Sequence, residues 1–421
     1  MNILLNKIYN SKRLLLISVF FVSILFSSLF LIFLGKVGPL QHETPGTDYL
    51  SFYQPVANNI LHGEGITIGG ELGLRYPPGY PIVLAVIFGL AEFLSVNELN
   101  LVVIFNVIVA AGAVCLLFLI AESVFNKKIA LISSLLWLSY PFSLWFLKNP
   151  NTEVPFIFLL YLGIWLCLLA IKKNHFWLIF FSGAVLGFAS LIRPIGLLFP
   201  ILLILFAFFL FKGNSKKLCF LLALVLLAGN LVTILPWEIH VFSQTGKIVP
   251  LSSSGPTAII DGLTFAVRPG TGDDQVMVSE DVLKLMKRAD NEDLSTGAKI
   301  FNFIAKELTS NPVSFIKLIS WKLARSWYAT SQMWWEGKIL LVQLFYLISA
   351  LVGITFVFRN YKDKIREAAF LLTIVLFFWG MTFSVLSILR YMVPAMGIVI
   401  IFSAITVNIL ISKIRFFKAD S

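Results

Sequence analysis

The sequence predicts an all-α polytopic membrane protein with about ten transmembrane helices, a helix-bearing first external loop and one long external loop. Three observations carry this. Of the 421 residues, 58% are hydrophobic and only 13% charged, whereas a soluble domain is about 25% charged. The apolar residues fall in runs long enough to cross a bilayer. Lysine and arginine collect in alternate connections between those runs. This composition excludes a cytosolic enzyme with a small anchor. The net charge of +11 reads as membrane topology, not as a nucleic-acid surface. Cys115, Cys167 and Cys219 lie inside apolar runs, so neither a disulfide framework nor a cysteine metal site is expected.

The first run, residues 14–34, follows Lys7, Lys12 and Arg13. It is longer than the 7–15-residue apolar stretch of a signal peptide and no A-x-A site follows, so it reads as a retained helix with a cytoplasmic N-terminus. Further runs occupy 101–121, 129–146, 154–171, 176–192, 194–211, 218–235, 339–358, 367–389 and 392–411. An apolar piece at 81–96 is short for a span and follows Tyr76-Pro77-Pro78-Gly79-Tyr80. Parity decides its status. If it does not cross, the connections with Lys127/Lys128, Lys172/Lys173, Lys216/Lys217, Arg359/Arg366 and Lys413/Arg415 all fall inside with the N-terminus, as the positive-inside rule requires. It therefore reads as re-entrant or interfacial.

The chain divides accordingly into an N-terminal transmembrane module, 1–236, containing the first external loop 35–100; a long external loop, 237–338; and C-terminal helices, 339–421. Within the long loop, Ser279-Glu280-Asp281 signals the start of a short soluble helix. Nearer its end Phe315, Ile316, Ile319, Leu323 and Trp327 share a helical face, with Lys317 and Arg325 off it. That pattern suits a helix on the membrane surface or one packed on the rest of the protein. The glycine-rich stretch 63–70 neither follows a strand nor opens a helix, so it is not a nucleotide loop. No internal repeat is present, which weighs against a transporter built from inverted repeats.

External charges beside apolar runs need a reason. Asp48 follows the first span and precedes a helical stretch, 51–61; it reads as a solvated loop residue, a helix cap, or a general base above the bilayer. Glu153 opens a span from the same side, where the macrodipole favours an acid, and with Asp48 it would also suit a metal or an acceptor. Arg75, Arg193 and Arg390 flank apolar runs on the side opposite most basic residues. Each is a snorkelling side chain or a phosphate ligand, since a guanidinium pairs bidentately with phosphate oxygens.

The short words along the chain are familiar in their order: Thr47-Asp48-Tyr49, Arg75-Tyr76-Pro77-Pro78-Gly79-Tyr80-Pro81, Thr152-Glu153-Val154-Pro155, Ile192-Arg193-Pro194, Pro236-Trp237-Glu238-Ile239-His240 with Gly246-Lys247-Ile248-Val249-Pro250, Asn311-Pro312 ahead of Trp321-Lys322-Leu323, and Arg390-Tyr391 with Pro394. Together they resemble the GT-C superfamily of integral-membrane glycosyltransferases, in the branch of dolichyl-phosphate-mannose protein mannosyltransferases and bacterial lipid A aminoarabinose transferases. The resemblance implies juxtamembrane helices in the first loop. It makes Asp48 the catalytic aspartate and Glu153 a second external acid, usually Asp in the family. Arg75 takes the place of the basic residue on the donor phosphate, a Lys in some relatives.

Arg193 and Arg390 join that phosphate set by side and charge, and Tyr49, Tyr76 and Tyr391 are expected substrate contacts. The implied partners are a polyprenyl-phosphate sugar donor, a glycan, lipid or protein acceptor, and membrane lipid, with no nucleic acid. A divalent cation, Mg²⁺ or Mn²⁺, held by Asp48 and Glu153 is a further expectation. So are an inverting transfer on the extracytoplasmic face of a cell inner membrane and cytoplasmic termini. The competing classes are a flippase and a polymerase for lipid-linked saccharides.

Overall fold

The computed structural model describes residues 10–37, 46, 48–173, 175–210, 216–267, 278–330 and 335–419; Thr47 and the 268–277 part of the charged loop lie outside them. The protein is an all-α polytopic membrane protein. Among the described residues, seven helices are long and apolar enough to span, or eight if the bent pair described below is one span: α1 (Lys12–Val37), α4 (Glu98–Val124), α7 (Glu153–Lys173), α10 (Lys216–Thr245), α15 (Glu336–Asn360), α16 (Ile365–Ser384) and α17 (Leu389–Ala419). Between them lie α2 (Gln54–Leu61), α3 (Gly79–Leu94), α5 (Lys127–Leu138), α6 (Pro141–Trp145), α8 (Phe176–Ile192) and α9 (Phe199–Leu210), then α11 (Gly255–Thr264), α12 (Glu280–Asn291), α13 (Gly297–Ser310) and α14 (Pro312–Arg325).

The expected run 129–146 is not one straight helix. It bends by 52° between α5 and the α6 segment, where Tyr140 precedes Pro141 and is pushed to extended backbone. The 81–96 piece is α3, whose 16 residues measure about 24 Å at 1.5 Å per residue, short of a hydrocarbon core about 30 Å thick. The glycine-rich stretch forms a two-residue antiparallel hairpin, β1 (Thr67–Ile68) with β2 (Glu71–Leu72), turning at Gly69 and Gly70. Both have positive φ, 59° and 83°, as a tight hairpin turn requires.

The chain forms two compact units: residues 1–252, 356–370 and 404–421, and residues 253–355 and 371–403. In the first, α8 packs along both α7 and α10. A Cβ at Gly183 would lie 2.0 Å from the Leu226 carbonyl oxygen, and one at Gly229 2.0 Å from that of Phe180, so α8 and α10 meet backbone to backbone, the contact small residues permit in membranes. Helix α10 runs through Pro236 to Thr245, past the point where the sequence suggested a loop. Its last turns are latched: Trp237 Nε1 donates to the Leu251 carbonyl at 2.9 Å, and Leu251 N donates to Glu238 Oε1 at 2.7 Å. These two bonds hold Leu251 at φ 59°, a conformation a branched residue resists. The Pro236-Trp237-Glu238 word is thereby a structural clasp.

The second unit has its own core around Leu263, Val282, Leu285, Met286, Phe303 and Leu318. Ser279 precedes α12, as expected. Helix α14 corrects the face read from the sequence: Phe315, Leu318, Lys322 and Arg325 are buried, whereas Ile316 is 58% exposed. Hydropathy missed this because Arg325 is neutralised inside by Glu336, its Nη1 donating to Oε2 and its Nη2 to Oε1, both at 3.0 Å.

Candidate functional site

Asp48 stands before a π-helical turn, Tyr49–Tyr53, that continues into α2. Its side chain caps no helix N–H, which removes the capping alternative, and it is 40% exposed. Tyr76 Oη donates to Asp48 Oδ1 at 2.9 Å. Arg75 Nη2 is 3.9 Å from the same oxygen, and its guanidinium lies over the Tyr76 ring, 5.2 Å from the centroid. Pro77 and Pro78 stiffen the approach to α3. Gly79 lets it close up, because a Cβ there would sit 2.6 Å from the Leu191 carbonyl. The Tyr76 loop thus rests on the last turn of α8.

Arg193 follows that turn directly. Pro194 forces it to extended backbone, φ −140° and ψ 120°, ending α8. A two-residue link joins α7 to α8, so the start of one and the end of the other meet, and Arg193 Nη1 pairs with Glu153 Oε1. The side chains are 8% and 0% exposed. A pair this deep requires both members, since either alone is an uncompensated buried charge.

Aromatic rings join the two ion pairs. Tyr53 stacks on Tyr76 with centroids 5.2 Å apart and an interplanar angle of 28°; Phe52 meets Tyr76 edge-on at 5.3 Å, and Tyr80 meets Tyr53 edge-on at 5.1 Å. Burial, then the neighbouring Tyr76, push the Tyr53 phenol above its ordinary pKa; the Asp48 and Glu153 charges add to this and Arg193 opposes it. All three charges therefore act on one hydroxyl.

Of the residues expected from the sequence, Asp48, Arg75 and Tyr76 come together, and so do Glu153 and Arg193. Tyr49 is 2% exposed and donates to Glu98 Oε1 at 3.4 Å, an oxygen that also receives Gln54 Nε2 at 2.9 Å; it anchors the π turn to α4. Arg390, exposed, and Tyr391, half-buried, open α17 within the second unit. The Glu153 carboxylate is committed to Arg193, and among the described residues no three His, Cys, Asp or Glu side chains converge.

Sequence reasoning passed over two residues. Tyr53 carried no signal beyond its distance from Asp48. Lys322, in the second unit, is 1% exposed, and its side chain makes no hydrogen bond or ion pair among the described residues. Gly262 leaves it room, since a Cβ there would lie 2.6 Å from its Nζ. Burial pulls its pKa down to about 7. The folded state then holds fewer protons than the unfolded one between pH about 7 and the ordinary lysine value, so stability rises with pH across that window. Lys322→Met is expected to raise stability by on the order of 5 kcal/mol below pH 7 and to gain nothing near pH 10.5. Thermal unfolding of both proteins in detergent at pH 6 and pH 10 checks this; a pH-independent difference refutes it.

Residues 76–240 match the family described as dolichyl-phosphate-mannose-protein mannosyltransferase. No curated protein is matched by sequence. Among solved structures, the oligosaccharyltransferase AglB of the archaeon Archaeoglobus fulgidus, in complex with an inhibitory peptide and a dolichol-phosphate, superposes with a TM-score of 0.59 at 14% identity, over 97% of this chain and 52% of that one. The oligosaccharyltransferase of that organism tethered to an acceptor peptide with the NVT sequon gives 0.59 at 13% identity, over 97% and 51%. Its apo form gives 0.54 at 15%, over 97% and 52%. The chain thus spans about half the length of these structural relatives.

Proposed function

We propose that this chain is a membrane glycosyltransferase of the GT-C type, a reading supported by the family match over residues 76–240 and by the shared fold, and that it is an inverting transferase moving a sugar from a polyprenyl-phosphate donor to a hydroxyl acceptor on the extracytoplasmic face of a cell inner membrane. The observation that carries the reading is the Asp48 carboxylate, half-exposed yet oriented by the Tyr76 hydroxyl, with the Arg75 guanidinium beside it. An acceptor hydroxyl is a weak nucleophile. Asp48 takes its proton as the oxygen attacks the anomeric carbon; the bond from that carbon to the phosphate oxygen breaks on the opposite face, and polyprenyl phosphate leaves.

Arg75 and Arg193 face the charge that collects on the departing phosphate, a stabilisation worth around 3 kcal/mol per well-aimed donor. Arg390 is the corresponding candidate on α17. The lipid tail calls for apolar surface between helices. The acceptor is a glycolipid, a polysaccharide or a protein, and the bound AglB relative is consistent with a lipid-phosphate donor.

The test is to incubate the full-length protein in detergent with polyprenyl-phosphate-linked sugars and envelope extract, and to follow free polyprenyl phosphate and glycosylated products by mass spectrometry. Stoichiometric release with one sugar gained by an acceptor is expected. Movement of the intact lipid-linked sugar across vesicles, with no release, would replace this reading with that of a flippase.

A further inference from the structure

We infer that the Tyr53 hydroxyl is a substrate contact, donating a hydrogen bond to a non-bridging oxygen of the lipid-linked phosphate; this rests on the donor class proposed above. Tyr53 ends the π turn and is 9% exposed. Its ring cannot swing freely, stacked on Tyr76 and butted by Tyr80 and Phe52, so the hydroxyl has a fixed direction. The Tyr53 ring is buried, but its hydroxyl oxygen is not among the fully buried unpartnered atoms, so it reaches solvent, where a ligand can meet it. It makes no hydrogen bond among the described residues, although two carboxylates act on it electrostatically.

Both carboxylates are engaged elsewhere, Asp48 with Tyr76 and Glu153 with Arg193. A ligand that replaces water on the Tyr53 hydroxyl has Arg193 and Arg75 close to the same carboxylates, which favours an anion. The same burial and carboxylate charges that disfavour the phenolate keep the hydroxyl a donor at every physiological pH. A phosphate oxygen answers all of these conditions. A sugar hydroxyl answers only the need for an acceptor.

The experiment measures binding, independently of transfer. Decaprenyl phosphate, decaprenol and inorganic phosphate are titrated into full-length wild type and Tyr53→Phe in detergent. The substitution removes one oxygen and keeps the ring stack. Decaprenyl phosphate is expected to bind about 10- to 100-fold more weakly to the variant, the range for a hydrogen bond to a charged group, with decaprenol unchanged. Equal affinity for decaprenyl phosphate in both proteins overturns the inference. So does an equal loss for decaprenol, which would mark a packing role, and so does a loss confined to inorganic phosphate, which would mark a free-anion site. A binding loss in a protein that never transfers sugar would sink the enzymatic reading and leave the Tyr53 contact standing.

Discussion

Asp48→Asn is expected to lower glycosyl transfer by about 10²–10⁴-fold, the contribution of one positioned general base, while binding of polyprenyl phosphate changes by less than about threefold. The argument is one of minimal change. Asparagine has the size of aspartate, and its Oδ1 still accepts the hydrogen bond that Tyr76 donates in the wild type at 2.9 Å, so the loop keeps its shape. What disappears is a group able to carry the acceptor's proton. Removing the charge also frees Arg75, 3.9 Å away, to follow the phosphate, which is why binding is not expected to suffer. Initial rates of polyprenyl phosphate release, measured at saturating donor for both proteins, decide the matter. Full activity in the variant would dismiss Asp48 as the base.

Glu153→Ala is expected to destabilise the protein by about 3–5 kcal/mol, as breaking a buried pair does. Arg193, 6% exposed, would be left with its charge inside. The Phe156 ring, 6.0 Å from the guanidinium carbon, is a weak substitute for a carboxylate. Removing both charges, as Glu153→Ala with Arg193→Met, is expected to recover most of the loss, because the cost lies in the orphaned charge and not in the absence of the pair. Unfolding midpoints of the two variants in detergent measure the difference. If the double variant is as unstable as the single one, Glu153 serves packing and not Arg193.

The sequence was informative wherever the signal was local. Apolar runs located the seven long helices and, less cleanly, α5, α8 and α9, whose ends are set by Pro141, Pro194 and packing. The Arg75 to Tyr80 word marked the loop that holds Tyr76 against Asp48. Charge asymmetry picked out Glu153 and Arg193, but not that they face each other; 40 residues separate them, and only the turn from α7 into α8 brings them together. The face of α14 was misread for a related reason. A helical wheel counts Lys322 and Arg325 as polar, whereas one is buried with its charge suppressed and the other is matched by a glutamate on the next span. Tyr53 was invisible because its importance lies in a hydrogen bond it does not make within the protein.

The close approach of Gly183 to the Leu226 carbonyl and of Gly229 to that of Phe180 sets a scale for the whole site. Two helices that touch through their backbones have a single register: slide either by one residue and a side chain strikes a carbonyl. Arg193 is ten residues beyond Gly183, about 15 Å along α8 at 1.5 Å per residue. The height at which a guanidinium meets its partner is therefore gauged by two missing methyl groups far from any chemistry. A methyl added at either glycine would act as a shim, shifting the arginine without touching it.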